Sequence, residues 1–188
     1  MLRTFVAIEL PAEVRRLLAG AQGSLRLGAR AVRWVDPDSA HLTLKFLGAT
    51  PEDAVEPIGA ALRAAAERHG RLHLRTGHPG AFPNPQQPRV LWLGLDGDLA
   101  RLGELQQKVE AAIAPLGYPT ENRPFSPHLT LGRLRPDASR ADRAAAGAAL
   151  AAAAPPRPVA FEATGVSLML SELSPRGARY SRLLSAPL

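Results

Sequence analysis

The chain begins with an apolar run, Phe5 to Ile8 within RTFVAIEL (3–10), that predicts a first strand. Pro11 at a first helical turn, followed by Val14, Leu17 and Leu18, predicts a short helix over PAEVRRLLAGAQGSL. AVRWV (31–35) and HLTLKFL (41–47) read as strands on either side of the turn-prone DPDS. Thr50 as N-cap, Pro51 at the first position and Asp53 in a capping pattern open a helix with Val55, Ile58 and Leu62 on one face, and Gly70 ends it. RLHLRTG (71–77) and RVLWLGL (89–95) are further strands. The proline-rich stretch between them, 78–88, is too stiff and too poor in core residues to be anything but a loop. A long helix over about 98–116 carries Leu99, Leu102, Leu105, Val109 and Ile113 on one stripe, with Gly117 past its end. After SPHLTLGRL, an alanine-rich helix over about 138–153 stops at Pro155 and Pro156. VAFEATGVSLMLSEL and RYSRLLSAPL then read as a closing pair of strands.

Within this order one string occurs twice. His-Leu-Thr-Leu stands at 41–44 and again at 128–131, in a chain with five histidines, and each copy is followed by a helix. The elements suffice for two sheet-plus-helix halves, so the repeat reads as an internal duplication. On a strand, side chains alternate, which puts His41 and Thr43 on one face and Leu42 and Leu44 on the other; His128 and Thr130 separate from Leu129 and Leu131 in the same way. The leucines build the core while two polar pairs look outward together, like the walls of a groove. Imidazole titrates near neutrality, so one copy can serve as base while the other serves as acid. Opening a strained cyclic phosphodiester asks for that pair: water attacks phosphorus in line while the departing sugar oxygen gains a proton on the opposite side. The threonine hydroxyls can donate to the non-bridging oxygens as charge develops there.

Composition narrows the field further. The 188 residues suffice for one domain, and 46% hydrophobic with 21% charged residues is a globular balance. No cysteine is present, which excludes disulfides, thiol nucleophiles and sulfur ligands for zinc, so any chemistry must use nitrogen and oxygen. No apolar run approaches a membrane span, and Glu9 and Glu13 fall where a signal peptide would be apolar, so a cytoplasmic protein without membrane contact is expected. The net charge of +6, almost all of it arginine, suits polyanionic partners, although an arginine- and alanine-rich genome gives the same excess. His69, His73 and His78 fit no common helical or strand face and have no accompanying carboxylate, so no metal site is expected. No P-loop string is present.

RTFVAIELP, RWVDPDSAHLTLKFLG, PRVLWLGL and RPFSPHLTLGRL together, in order and spacing, resemble the RNA 2′,3′-cyclic phosphodiesterases of the 2H phosphoesterase superfamily, the LigT/ThpR type once called 2′-5′ RNA ligases. The resemblance covers nearly the whole chain. It implies an α+β, bilobal fold over 1–188: two pseudo-symmetric antiparallel sheets with outer helices around a central cleft, one motif per lobe. It also implies a monomer that uses no metal or cofactor and opens RNA or nucleotide 2′,3′-cyclic phosphate ends to 2′-phosphates. His41 is then the proton donor to the 3′ oxygen and His128 the base that activates water, with Thr43, Thr130 and Arg133 binding the phosphate. Joining of cyclic and 5′-hydroxyl ends, or RNA-end binding without catalysis, are the rival expectations. Arg133 lies at an odd offset from His128, on the leucine face of a regular strand; a bulge at Gly132 would turn it back. Its counterpart Phe46 is expected to face a base or, in preference, to lie in the core, the two tryptophans as buried anchors, Phe82 at the cleft rim, and Lys45 on the His41 face, solvated or meeting a phosphate.

Overall fold

The computed structural model describes residues 1–174 and 177–188. Its nine strands are β1 (Leu2–Glu9), β2 (Val32–Trp34), β3 (His41–Thr50), β4 (Leu72–Phe82), β5 (Val90–Gly97), β6 (His128–Leu134), β7 (Ala160–Ala163), β8 (Gly165–Ser174) and β9 (Gly177–Pro187); its four helices are α1 (Ala12–Leu25), α2 (Val55–Ala66), α3 (Leu99–Ile113) and α4 (Arg140–Ala152). All described strand pairings are antiparallel and run in one path, β7-β4-β5-β6-β3-β1-β8-β9, with β2 added on β6.

The expectation of two sheets is corrected here to one, but the join is minimal. β3 and β6 pair through a single residue pair, Leu42 with Leu129. Beyond it the edge of β6 is occupied by β2, whose Trp34, Arg33 and Val32 lie opposite Gly132, Arg133 and Leu134. β2 therefore acts as a wedge, and the motif strands touch at their starts and diverge. Gly132 makes that close approach possible, since a Cβ there would come within 2.5 Å of Val32 Cγ1.

On either side of the join stand four strands, β3-β1-β8-β9 and β6-β5-β4-β7 from the centre outward, and in each half the motif strand lies beside a strand from which the chain reaches it by way of a helix, β1 through α1 and β5 through α3. The helices cross over. α1, which follows β1, packs on β6, and α3, which follows β5, packs on β3; α2 covers β8 and β9 while α4 covers β4. Between sheet and helices lies one core in which Leu42, Leu129 and Leu131 are fully buried and Leu44 nearly so. Each such leucine contributes about 1.5–3 kcal/mol by leaving water.

Several local expectations shift. Thr50 caps no helix; it ends β3, fully buried, with its hydroxyl 2.7 Å from that of Thr4. Strand pairing used it before the helix could, and α2 starts after a 3₁₀ turn at Glu52–Ala54 with no side-chain cap. The segment from His78 to Phe82 belongs to β4, because an irregularity after Thr76 resets its register against β5 and restores pairing from Pro79 to Phe82. Ser139 and Asp142 form the capping box that starts α4. No helix among the described residues is long and apolar enough to cross a membrane.

Candidate active site

The single Leu42–Leu129 pair determines the rest of the site. In an antiparallel register it brings His41 level with Thr130 and His128 level with Thr43. The four polar side chains share the face opposite the leucines, and the histidines stand on a diagonal, typically roughly 7–8 Å between Cα atoms. All four are half-buried.

Both imidazoles are held the same way. His41 Nδ1 donates to the Ser39 carbonyl at 2.9 Å, and His128 Nδ1 donates to the Ser126 carbonyl at 2.7 Å. This leaves Nε2 of each ring as the atom available to exchange a proton. The match has a sequence signature that reading from the histidine onward misses: both copies extend backward to Ser-x-His-Leu-Thr-Leu, as Ser39-Ala40-His41 and Ser126-Pro127-His128. Burial is the main cause that lowers the pKa of each histidine. The backbone hydrogen bond opposes it, and the positive charge of Arg133 lowers both further.

The register of β6 against β5 gives the direction in which Arg133 faces. β6 carries one residue more than β5 at Leu131, since Gly132 pairs with Leu91 but Thr130 with Trp92. The bulge turns an odd offset into an even one and brings Arg133, exposed, onto the histidine face. The same irregularity occurs in β3. Lys45 pairs with Val6 and Thr43 with Ala7, leaving Leu44 as the extra residue.

Two expectations fall with that bulge. Phe46 is not in the core: it is 60% exposed and faces Phe5 on the His41 side at 6.2 Å between ring centroids. Lys45 is turned away from His41 to the helix side, where it is 2% exposed. There its ammonium donates to Glu110 Oε2 at 2.5 Å and to the Pro119 carbonyl at 2.8 Å.

Aromatic rings line both histidines. Phe5 lies 4.5 Å and Tyr180 5.0 Å from His41; Phe82 lies 4.9 Å and Trp92 6.3 Å from His128. Trp92 is therefore half-buried at the site rather than a core anchor, its indole lying over Gly80 where no Cβ could stand. Trp34 is half-buried at the core edge, with the Arg26 guanidinium 5.4 Å from its ring. Phe82 sits beside the cleft as expected, while Phe5 and Tyr180 were not legible, since nothing local in the sequence tells which face a ring on β1 or β9 takes. His41 also borders a recess of about 290 Å³ walled by Arg15, Asp38, Tyr180 and Arg182. A larger one, about 670 Å³ between α3 and residues 120–127, contains neither histidine. Among the described residues no three His, Asp or Glu side chains converge as a metal site would require.

Two histidines on adjoining antiparallel strands, each with a threonine two residues on, and one exposed arginine turned to the same face make a site equipped for acid–base chemistry on a phosphate. The chain belongs to the 2′-5′ RNA ligase superfamily, whose sequence model matches residues 4–174. It is similar to an RNA 2′,3′-cyclic phosphodiesterase of Thermus thermophilus, 32% identical over 186 residues, 97% of this chain and 88% of that one. A protein of the same name from Aeropyrum pernix is 32% identical over 118 residues, 63% of this chain and 66%, just under two thirds, of that relative's length. The crystal structure of E. coli LigT complexed with 3′-AMP matches with a TM-score of 0.79 at 26% identity, covering 100% of this chain and 98% of that one.

Proposed function

We propose that the protein hydrolyses RNA 2′,3′-cyclic phosphodiester ends to 2′-phosphomonoesters by two-histidine acid–base catalysis. The observation that carries this reading is the pair of Ser-x-His-x-Thr strands meeting at Leu42 and Leu129, with both rings in one tautomer and neither Nε2 hydrogen-bonded among the described residues. A phosphate seated between the rings has a proton-transfer group on each side, as in-line attack demands. His128 takes the proton of the attacking water, and His41 delivers one to the departing 3′ oxygen. Thr43 and Thr130 donate to the non-bridging oxygens, and Arg133 balances the charge that builds there. Phe5, Tyr180, Phe82 and Trp92 keep bulk water from both rings, which strengthens each of these interactions.

The same reading takes the chain as one catalytic domain of two duplicated lobes, supported by the four strands on each side of the join and by the corresponding inner units β1-α1-β3 and β5-α3-β6, and expects a monomer in the cytoplasm. No cofactor is needed, because imidazoles and hydroxyls supply every proton and donor in the scheme. Activity should accordingly survive EDTA.

The test is a cyclic-ended oligonucleotide incubated with purified protein, its products resolved by phosphorus NMR against 2′- and 3′-nucleotide standards. A 2′-phosphate is expected. A predominant 3′-phosphate overturns the assignment of donor and acceptor, and a joined 2′-5′ product in the presence of 5′-hydroxyl RNA makes ligation the main activity. His41→Ala and His128→Ala should each lose on the order of 10²- to 10⁴-fold in turnover, and near-normal turnover in either removes the acid–base pair.

A further inference from the structure

Two glutamines are buried in helix faces that otherwise consist of core residues: Gln22 on α1, 2% exposed, and Gln106 on α3, 9% exposed. A buried amide needs partners, and these two find them in related places. Gln22 Nε2 donates to the Leu131 carbonyl at 3.0 Å and to the Val35 carbonyl at 2.6 Å. Gln106 Nε2 donates to the Leu44 carbonyl at 3.4 Å and to Glu110 Oε1 at 3.2 Å. Leu131 and Leu44 are the fourth residues of the two motifs, and each bulges out of register with the neighbouring strand. Each bulge is held by a helix that crosses over from the other half of the fold.

Gln22 makes the better pair of bonds, and it makes them at the fork where β2 leaves β6. The Leu131 carbonyl also accepts the Val35 amide at 3.0 Å, so Gln22 closes a three-way junction between the end of β2, the bulge of β6 and α1. The extra residue there is what turns Arg133 onto the histidine face. A regular strand would send position 133 toward the side where Leu129 and Leu131 are fully buried and a guanidinium has no room.

We propose that Gln22 is a positioning residue for the phosphoesterase reaction: by holding the Leu131 bulge it aims Arg133 at the phosphate between His41 and His128. Gln106 holds the equivalent bulge of β3, and with it the outward turn of Phe46. The proposal rests on the reading of Arg133 as a phosphate-binding residue, and the test separates the two.

The experiment is a double-mutant cycle of Gln22→Met and Arg133→Ala, read by turnover of a cyclic-ended RNA and by NMR titration of His41 and His128. Gln22→Met should lose on the order of 10-fold in turnover and Arg133→Ala on the order of 10²-fold. The double variant should be no slower than Arg133→Ala, because the glutamine acts only through the arginine. Both single variants should raise the histidine pKa values, since each withdraws a positive charge from the rings. Leu18→Ala, a buried leucine of the same helix, should lower Tm and leave both titrations unchanged, which separates positioning from loss of stability. Slowdowns that multiply in the double variant, or a folded Gln22→Met with the wild-type titration, overturn the proposal. Wild-type turnover in Arg133→Ala instead overturns the reading of Arg133. If Gln22→Met does not fold, Gln22→Leu, which removes the donors without adding a charge, is held to the same outcomes.

Discussion

A histidine that donates from Nδ1 to a backbone carbonyl has one nitrogen left for chemistry, and here two histidines are fixed so by carbonyls two residues upstream. Burial and the charge of Arg133 lower both pKa values below 6.5, so the free enzyme carries mostly neutral rings at neutral pH. That state suits the base proposed here, His128, but leaves the proposed acid, His41, short of its proton. The kcat/KM profile reports the free enzyme, and its bell is centred between two macroscopic pKa values that both lie below the ordinary one. The optimum is therefore expected on the acid side of pH 6.5, and it should move upward in Arg133→Ala; an optimum above 7 in the unmodified protein contradicts the assignment. Thr43→Val and Thr130→Val should fold normally and slow turnover less than either histidine variant, because each removes one donor to phosphate and no proton path. The common face of the histidines and threonines was legible from the repeated string. Arg133 was singled out by the family resemblance, and Gly132 was the sign in the sequence that an irregular strand could turn it to that face. Phe46 and Lys45 were misplaced because β3 bulges at Leu44, a position with no such warning.

The element that pays most for that bulge is β3, which turns a lysine into the core. Lys45 and Glu110 have side chains 1% and 9% exposed, and they tie β3 to α3 and, through Pro119 and the Glu121 amide, to the segment that leads to His128. Desolvating such a pair offsets much of its attraction, so its presence is no measure of stability, but losing one partner strands the other charge. Lys45→Met is expected to destabilise by about 3–5 kcal/mol in urea unfolding, with Lys45→Met combined with Glu110→Leu recovering a good part of the loss. A loss below 1 kcal/mol in the single variant means that water reaches Glu110. Local pattern located all four α-helices: apolar stripes such as Leu102, Leu105, Val109 and Ile113 depend only on local spacing, and α4 was marked by its alanine content and the prolines after it. What it missed at this scale was set by pairing over long separations: β4 continuing through the proline-rich segment because β5 completes it, and Thr50 drawn into β3 by Thr4.

For the whole molecule, sequence indicated two halves but not how they are bound together. The strands bind them weakly, through one residue pair between β3 and β6 with β2 wedged in beside it. The helices bind them strongly: α1 leaves β1 to cover β6, and α3 leaves β5 to cover β3. Neither half can therefore bury its inner leucines alone, since Leu129 and Leu131 are roofed from the N-terminal part of the chain and Leu42 and Leu44 from the C-terminal part. Two lobes joined only by their strands would separate under denaturant, one melting before the other. Crossed helices make that path costly, because opening either half uncovers core on both sides. Unfolding in urea should thus be a single transition, coincident for Trp34 and Trp92 fluorescence, which report the β6 half, and for the NMR signal of His41, which reports the β3 half. A His41 signal lost at lower urea than the tryptophan transition separates the lobes energetically and removes the mutual roofing as the source of their cohesion.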